Sequence, residues 1–476
     1  MKANKIINYL RAGFSGFWLR TSEPDHVRSS VYKAIEDFTR KDGSKYTIDE
    51  WTLSKSTNPM ELIPNFNNAK EDTILFLYNW HWFADKPPIV QAIQDNLRLW
   101  SNQGKAIVCV SHTKKVPAEL EKDFVLLDLS LPDTSEIEKL INLVAPSDKL
   151  VPKDEKSLAR LINSCKGLTR AELENVLALS IVETEGESFS IATINEHKAM
   201  SIQKTGFLDV LEGDLNFSNI IGYDNIKQFV VETIDNPKAK GIMTIGPPGT
   251  GKTTLMKAIV GETGKFGLSV NMGSLFSKYQ GETDHNINTV IELITAIGDC
   301  VVLVDEFEKQ FAGASSDGSL DSGTTRRATG RWLDFLQNRP AGVYIVGTAN
   351  SFVGVPGEYL RPGRWDTSPF FIDLPTDKVR KGILEYYCDK VGIEINGDLP
   401  NMDEFSGAEI EAMVHIADMR GMSLKDASEC ILPQAKTMAE NITALREWAK
   451  DRTIPAEKAP KTNLRVISKR KRKLDT

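Results

Sequence analysis

The chain has 476 residues, of which 41% are hydrophobic and 26% charged, and its formal net charge is −7. These values are ordinary for a soluble globular protein of roughly two to four domains, and they exclude a basic coat for nucleic acid. No run approaches the roughly 18 apolar residues of a membrane span, and the N-terminus lacks the pattern of a secretory signal. Five scattered cysteines and six histidines form no metal-ligand spacing, so we expect reduced thiols in a cytoplasmic protein.

Short apolar runs in the first 132 residues predict the strands of an α/β core. They lie at residues 16–20, 73–79, 107–111 and 127–132. Helical patterns then dominate residues 133–205, and residues 204–216 have the character of a connection to the second half of the chain. The first half is therefore predicted to be an α/β core followed by a helical lid.

A glycine-rich turn follows the strand-like run at residues 242–245 and precedes a helical pattern. This is the context of a phosphate-binding loop, in which backbone N–H groups point at a phosphate and the helix N-terminus adds its positive dipole end. We predict that Lys252 reaches the β- and γ-phosphates of ATP and that the Thr253 hydroxyl binds Mg²⁺. The predicted nucleotide-binding residues here are Gly246, Pro247, Pro248, Gly249, Thr250, Gly251, Lys252, Thr253 and Thr254.

Two further strand-like runs end in polar residues. The run at 301–304 is followed by Asp305 and Glu306, and the run at 343–349 is followed by Asn350. Parallel strands present such residues at one edge of the sheet, where α/β proteins bind ligands. We expect Asp305 to hold Mg²⁺ through water, Glu306 to polarise the attacking water, and Asn350 to fix that water or contact the γ-phosphate.

Two arginines, Arg361 and Arg364, bracket a Pro-Gly turn that projects permanently charged guanidinium groups from a loop. An arginine supplied to a phosphoryl-transfer site by a neighbouring subunit raises the rate by roughly 10³–10⁵-fold. We therefore predict that both arginines act on the site of the next subunit. The alternative is a solvated turn with an internal ion pair to Asp366.

Taken together, these motifs in residues 215–440 resemble an ATPase module of the AAA (AAA+) family. Ile221 and Gly222 resemble the family segment whose backbone contacts adenine, and Gly407 and Ala408 resemble the start of the lid helix that closes over the nucleotide. The resemblance implies a ring, most often a hexamer, with its sites at the subunit interfaces.

A further segment, Tyr279, Gln280 and Gly281, resembles the pore loop of AAA enzymes that remodel proteins. In that loop an aromatic residue before a flexible glycine lines the central channel. An aromatic ring can grip a polypeptide by packing, without reading its sequence. The resemblance implies a protein substrate, and the alternative is that Tyr279 packs within its own module.

The two halves of the chain show internal similarity. Corresponding segments follow in the same order, at 116–120, 127–132 and 170–174 in the first half and at 355–360, 371–375 and 407–411 in the second. The first copy has no Gly-Lys-Thr after Arg20 and no Asp-Glu after Leu77, so nothing in it supports triphosphate binding. We interpret it as a degenerate module, and the alternative is an unrelated α/β domain with chance matches. The layout resembles that of Ycf46-type AAA ATPases, which carry a Thr-x-Glu segment like Thr21 to Glu23.

The predicted fold is α/β, with tandem P-loop NTPase-like modules, each a parallel sheet flanked by helices and followed by a helical lid. We expect a degenerate core at 1–132 with its lid at 133–205, an active core at 206–375 with its lid at 376–450, and a flexible basic tail at 451–476. The tail carries a basic cluster from Lys469 to Lys473, which is either a site for nucleic acid or an acidic partner, a nuclear address, or a solvated segment.

The predicted function is Mg²⁺-dependent hydrolysis of ATP in a ring that remodels or unfolds a protein or protein complex. One alternative is a nucleic-acid-associated loader or motor, which the basic cluster favours. Another is a regulatory or scaffold protein whose ATP cycle only switches assembly. We expect no membrane partner.

Overall fold

A computed structural model describes residues 4–40, 43–55, 58–113, 116–129, 131–147, 149–275, 282–310, 322–352, 355, 357–361, 363–395 and 399–457. The chain divides into two compact units, Met1–Ile194 and Asn195–Thr476. In the ranges just given, no helix combines the length and the apolarity that a membrane crossing requires.

The first unit is built on a five-stranded parallel sheet with the strand order β2-β3-β4-β1-β5. A π-helical turn at Val27–Tyr32 joins α2 to α3, and α9 carries the chain into the second unit. The elements in chain order are α1 (Asn4–Arg11), β1 (Gly16–Arg20), α2 (Pro24–His26), α3 (Lys33–Asp37), β2 (Thr47–Trp51), α4 (Leu62–Asn67), β3 (Thr73–Tyr78), α5 (Pro87–Asn102), β4 (Ala106–Ser111), β5 (Phe124–Asp128), α6 (Thr134–Val144), α7 (Glu155–Cys165), α8 (Arg170–Glu183) and α9 (Ile191–Gln203).

Both faces of this sheet are buried, which explains why its central strands are continuous apolar runs. Every residue of β3 and β4 is buried. Side chains alternate between the faces of a strand, so Phe17 packs with Phe76 in one cluster while Trp18 packs with Leu77 in the other. Helices α6, α7 and α8 form a separate helical cluster after the sheet. This order of sheet and then helices is the predicted core and lid.

The second unit is built on a seven-stranded sheet with the order β12-β11-β7-β10-β9-β8-β6, in which only the pair β6–β8 is antiparallel. Its elements in chain order are β6 (Leu208–Leu211), α10 (Asp224–Thr233), β7 (Gly241–Ile245), α11 (Lys252–Thr263), β8 (Phe266–Val270), α12 (Met272–Leu275), α13 (Glu282–Ile297), β9 (Cys300–Val304), α14 (Ser322–Asn338), β10 (Val343–Ala349), β11 (Phe370–Phe371), α15 (Asp377–Val391), α16 (Gly407–Arg420), α17 (Leu424–Glu429), α18 (Gln434–Thr437), α19 (Ala439–Ala449) and β12 (Ile454–Pro455).

The predicted tail at 451–476 begins with structure, which corrects the expectation of a flexible segment from residue 451. Ile454 pairs with Phe370 in a parallel ladder, and the Ala456 N–H donates to the Phe371 carbonyl at 2.9 Å. Pro455, which has no N–H to donate, is tolerated because β12 is an edge strand. Residues 458–476, which include Lys469 to Lys473, lie outside the described residues.

The two sheets share one topology. Counted from β1, the strands of the first sheet stand in the order 2-3-4-1-5, and β8-β9-β10-β7-β11 of the second sheet stand in that same order when they are counted from β7. Helices α15, α16 and α17 form a helical cluster after β11, as α6 to α8 do after β5. The predicted α/β architecture of tandem modules is therefore confirmed.

Candidate active site

The candidate site lies at the carboxyl edge of the second sheet. Strands β7, β10 and β9 are parallel neighbours, so the residues that follow them meet at one edge. They border a cleft of about 570 Å³, a size typical of ligand pockets. The predicted residues that line this cleft are Ile221, Pro248, Gly249, Gly251, Lys252, Thr253, Thr254, Asp305, Glu306, Asn350, Gly407 and Ala408.

Close packing dictates the glycines of the phosphate loop. A Cβ atom on Gly246 would lie 2.0 Å from the carbonyl oxygen of Ile372. Gly251 has φ +76°, and a Cβ there would lie 2.7 Å from the Tyr223 hydroxyl oxygen. Space excludes a side chain at Gly246, and at Gly251 the positive φ also favours glycine. The loop leads directly into α11, whose first residues line the cleft, and a helix N-terminus favours an anion.

Lys252 is buried in the back of the loop, with 7% of its surface exposed. Its Nζ atom donates to the carbonyl oxygens of Gly246 at 2.9 Å and Pro247 at 2.7 Å. Burial lowers the pKa of the ammonium from 10.5 to about 8, because the low-dielectric surroundings disfavour its charge. Gly246, Pro247 and Thr250 thus support Lys252 from behind, and none of these three is among the described residues that line the cleft.

The two residues predicted to hold Mg²⁺ are in direct contact. The Thr253 hydroxyl donates to Asp305 Oδ2 at 3.2 Å. Asp305 Oδ1 accepts from the Glu306 N–H at 3.0 Å and from the Thr348 hydroxyl. A hydroxyl and a carboxylate oxygen at the edge of a cleft match the oxygen ligands that Mg²⁺ prefers. The residues present therefore fit this ion.

Glu306 adopts a left-handed backbone conformation, with φ +51°. This conformation is uncommon for a residue other than glycine and is concentrated at functional sites. The Glu306 N–H also lies 3.2 Å from Thr348 Oγ1, which fixes the turn after β9 against the end of β10. The turn places Glu306 at the wall of the cleft.

Asn350 lines the cleft, and its backbone N–H donates to Glu308 Oε1 at 3.0 Å. The sequence pattern did not single out Glu308 or Thr348 as site residues. Thr348 does carry a signal, because it is a buried polar residue in an otherwise apolar strand, two positions before Asn350.

The lid contacts the phosphate loop directly. The Ala408 N–H, at the start of α16, donates to the Gly249 carbonyl at 3.2 Å. A capping box of Ser406 and Glu409 fixes this end of the helix. Of the two residues predicted to contact adenine, Ile221 lines the cleft, whereas Gly222 has φ +87° and faces Val379 and Glu457.

Several cleft residues were not predicted. The Tyr223 hydroxyl donates to the Thr250 carbonyl of the phosphate loop, and burial raises the pKa of this tyrosine. For four of the cleft residues the sequence does carry a signal, because positions 383, 386, 387 and 390 share one face of α15. The residues in question are Leu215, Asn219, Ile220, Tyr223, Lys257, Ile383, Tyr386, Tyr387, Lys390 and Glu411.

Neither predicted arginine belongs to the described lining of the cleft in its own subunit. Arg361 is exposed. Arg364 is half-buried, and in the part of the chain that the structure describes its Nε and Nη1 atoms have no hydrogen-bond partner. Asp366 does not pair with either arginine within those residues; it accepts from the backbone N–H groups of Lys240 and Gly241 instead. Tyr279, Gln280 and Gly281 lie outside the described residues, and the chemical roles given to all these residues stay predictions.

The same edge of the first unit is occupied by side chains of the chain itself. Arg20 Nε lies 2.6 Å from Asp128 Oδ1, and the ion pair joins the ends of β1 and β5. Glu23, in the turn after β1, accepts a hydrogen bond from the Ala171 N–H at 2.9 Å, at the start of α8. A carboxylate thus stands in the turn where the second unit has its phosphate loop.

Comparison with protein-family models extends this two-module description. Residues 242–372 match the ATPase family associated with various cellular activities (AAA). Residues 2–129 match the N-terminal domain of SpoVK-like AAA ATPases, and residues 135–205 match their second domain. The chain therefore carries a AAA domain, preceded by the two domains of SpoVK-like AAA ATPases. The predicted resemblance is thereby confirmed, including its extension into the degenerate first half.

AAA relatives match over most or part of the chain. The uncharacterized AAA domain-containing protein ycf46 of Guillardia theta is 27% identical, covering 92% of this chain and 93% of its own length. The peroxisomal ATPase PEX1 of Komagataella pastoris is 24% identical, covering 88% of this chain and 38% of its own length. The ribosome biogenesis ATPase RIX7 of Saccharomyces cerevisiae is 26% identical, covering 58% and 36%. The similarity to ycf46 therefore includes both modules.

Proposed function

We propose that the chain is a Mg²⁺-dependent ATP hydrolase that works as a ring, most often a hexamer, and remodels or unfolds a protein or protein complex. The contact between Thr253 and Asp305 carries the first part of this proposal, because it joins the phosphate loop to the end of β9 at 3.2 Å. Bound Mg²⁺ would neutralise charge on the phosphates. The chain supplies the remaining elements of a phosphoryl-transfer site.

Each side chain has a role that follows from its place in the cleft. Lys252 binds phosphate from the buried back of the loop, and Glu306, which also lines the cleft, orients and polarises the attacking water. Asn350 contacts the γ-phosphate or the same water, and Glu308 holds its backbone. The lid residues Gly407 and Ala408 close over the nucleotide.

The ring and its task rest on a second set of observations. Arg361 is exposed at a distance from the lining of its own cleft, as a residue that serves a neighbouring subunit must be. Two relatives carry names that assign them to the peroxisome and to ribosome biogenesis, and both are called ATPases. A remodelling role for this chain agrees with such relatives, and an aromatic residue at Tyr279 would supply the grip on a protein substrate.

Substitution of the predicted catalytic carboxylate tests the hydrolase. Glu306→Gln keeps the size of the side chain and removes its charge, so we expect ATP binding within about threefold of wild type and turnover reduced about 10²-fold or more. ATP binding is measured by calorimetry and turnover by phosphate release. Near-normal turnover would overturn the assignment of Glu306. Lys252→Ala serves as the contrast, because it is expected to lose tight binding.

The same variant identifies the substrate class. Glu306→Gln protein, held in ATP, is used to capture partners with and without nuclease, and its assembly state is measured by mass photometry. A nuclease-resistant protein that is lost from a Glu306→Gln/Tyr279→Ala double variant supports remodelling of a threaded protein. Recovery of nucleic acid, or of partners that vanish with nuclease, supports the nucleic-acid-associated alternative. A protein that remains monomeric in ATP contradicts the ring.

A further inference from the structure

We propose that Trp365 and Asp366 are positioning residues that hold the arginine loop, residues 359–361 and 363–366, in the geometry needed to reach the next subunit. This inference rests on the proposed function, in which Arg361 and Arg364 act on a neighbouring site. It adds residues that touch neither nucleotide nor the reacting atoms. Four side chains of the same unit anchor the loop: Asp366, Lys240, Arg339 and Trp365.

Asp366 fastens the C-terminal side of the loop to the start of β7. Its Oδ2 atom accepts from the N–H groups of Lys240 at 2.6 Å and Gly241 at 2.7 Å, and its own N–H donates to the Gly241 carbonyl at 3.0 Å. Charge-assisted hydrogen bonds of this kind are the strong ones in proteins. Asp366 is exposed, yet its carboxylate is committed to the backbone. Because one carboxylate accepts from two successive N–H groups, the backbone of the loop at Asp366 has a fixed direction relative to the start of β7.

Two cations bind the carbonyl groups of the loop. The Lys240 Nζ atom donates to the Gly363 carbonyl and, at 2.9 Å, to the Gln337 carbonyl at the end of α14. The Arg339 guanidinium donates to the Arg364 carbonyl at 3.3 Å and to the Leu336 carbonyl at 2.6 Å. Each cation therefore bridges the loop to the end of α14, and the backbone beside Arg364 is held from both sides.

The buried side chain of Trp365 anchors the loop to the core. Only 3% of its surface is exposed, and its indole N–H donates to the Tyr359 carbonyl at 2.6 Å, which closes the loop on itself. The arginines thus lie between two residues that are locked together, and the loop has little freedom to collapse away from the neighbouring subunit.

The buried end of this anchor contacts the hydrolysis site. Trp365 and Tyr359 pack edge-on against Phe307, with ring centroids 6.1 Å and 5.4 Å apart. Phe307 stands between Glu306 and Glu308 in the sequence. A Cβ atom on Gly347 of β10 would lie 3.0 Å from the Trp365 ring and 3.2 Å from the Phe307 ring, so both rings lie directly on the strand that carries Asn350. A shift at the end of β9 or β10 would therefore reach the arginine loop through direct contact.

Rings mixed from two variant subunits separate two roles of a subunit: supplying arginines to its neighbour and binding nucleotide in its own site. Lys252→Ala subunits keep the arginines and lose the nucleotide site, so they are donors only. Arg361→Ala subunits keep the nucleotide site and lack the arginine, so they are acceptors only. Mixing the two is expected to restore ATP hydrolysis at acceptor sites that lie next to a donor. Each kind of subunit is then prepared with and without Trp365→Phe, which keeps an aromatic ring and removes the N–H.

The proposal predicts that restored ATP hydrolysis is lost when the donor subunit, and not the acceptor, carries the substitution. Donors that carry Trp365→Phe are expected to restore less than a tenth of the activity, with the KM for ATP within twofold. Acceptors that carry the same substitution are expected to be rescued within twofold of the parent acceptor. Asp366→Ala is expected to give the same asymmetry. Trp100→Phe is the matched control, because Trp100 is also buried and its indole also donates one hydrogen bond, to Asn67 Oδ1 at 2.7 Å.

Four results would overturn the proposal. If donors with Trp365→Phe rescue as well as the parent donor, the residue does not position the arginines. If the loss follows the acceptor, or if Trp100→Phe has the same effect on the donor, the substitution acts through general stability. If Lys252→Ala subunits fail to rescue Arg361→Ala subunits at all, the arginines do not act in trans, and the proposed function fails together with this inference.

Discussion

The buried ammonium of Lys252 predicts that ATP affinity falls as the pH rises above about 8. Burial lowers the pKa of this group from 10.5 to about 8. A phosphate beside the ammonium favours its charged form, so the pKa is higher in the complex. Above pH 8 the free protein has lost the proton and must take it up again to bind ATP, and binding weakens accordingly.

The magnitude follows from the two protonation equilibria. The dissociation constant rises by up to tenfold for each pH unit between the pKa of the free protein and that of the complex. Between pH 7.5 and pH 9 a free-state pKa of about 8 gives a weakening of about eightfold. The stability of the nucleotide-free protein changes in the opposite direction. The unfolded chain binds more protons between about pH 8 and 10.5, so Lys252 makes the folded state more stable as the pH rises through that window.

Calorimetry measures both consequences. Titration with ATP and Mg²⁺ at pH 7.5, 8.5 and 9.0, in buffers that differ in their heat of ionisation, gives the affinity and the number of protons taken up. Lys252→Arg is the control, because a guanidinium stays charged over this range. Its affinity is expected to be lower at every pH but to have a flat pH profile. An affinity of the wild-type protein that is constant from pH 7.5 to 9.0, or an equal slope in Lys252→Arg, would refute the reasoning.

Two further substitutions test contacts that the structure adds. Tyr223→Phe removes the hydroxyl that donates to the Thr250 carbonyl. The loss of one neutral hydrogen bond of about 1 kcal/mol is expected to weaken ATP binding about fivefold in a calorimetric titration. Unchanged affinity would mean that the phosphate loop keeps its shape without this contact. Glu23→Ala removes the acceptor of the Ala171 N–H, so hydrogen exchange of that amide is expected to become faster by about tenfold with ATP hydrolysis unchanged, and an unaltered exchange rate would contradict the contact.

Much of the second unit was predictable because its chemistry is local or follows from parallel pairing. The phosphate loop is a strand, a glycine turn and a helix within a short stretch of chain. Thr253 and Asp305 are far apart in sequence, yet their contact was implied once both were assigned to the carboxyl ends of parallel strands. Asn350 joins them for the same reason.

Other features depend on tertiary packing that no local pattern encodes. Tyr223 supports the phosphate loop because the chain before α10 crosses it, and Glu308 holds Asn350 because β9 and β10 are neighbours. The composition around Pro455 indicated a mobile tail, but a two-residue edge strand forms there. An edge strand hydrogen-bonds to a neighbour on one side only, and Ile454 supplies its apolar side chain. In each case the deciding partner lies far away in the sequence.

The first unit shows how a module can lose its chemistry and keep its architecture. In the second unit the Ala408 N–H at the start of the lid helix donates to the Gly249 carbonyl of the phosphate loop, and in the first unit the Ala171 N–H at the start of α8 donates to the Glu23 carboxylate. A helix N-terminus favours negative charge, so a carboxylate serves there at least as well as a carbonyl. The turn after β1 therefore keeps the contact between core and lid by means of a side chain. The contact between core and lid in the first unit therefore needs neither a glycine loop nor a phosphate-binding lysine.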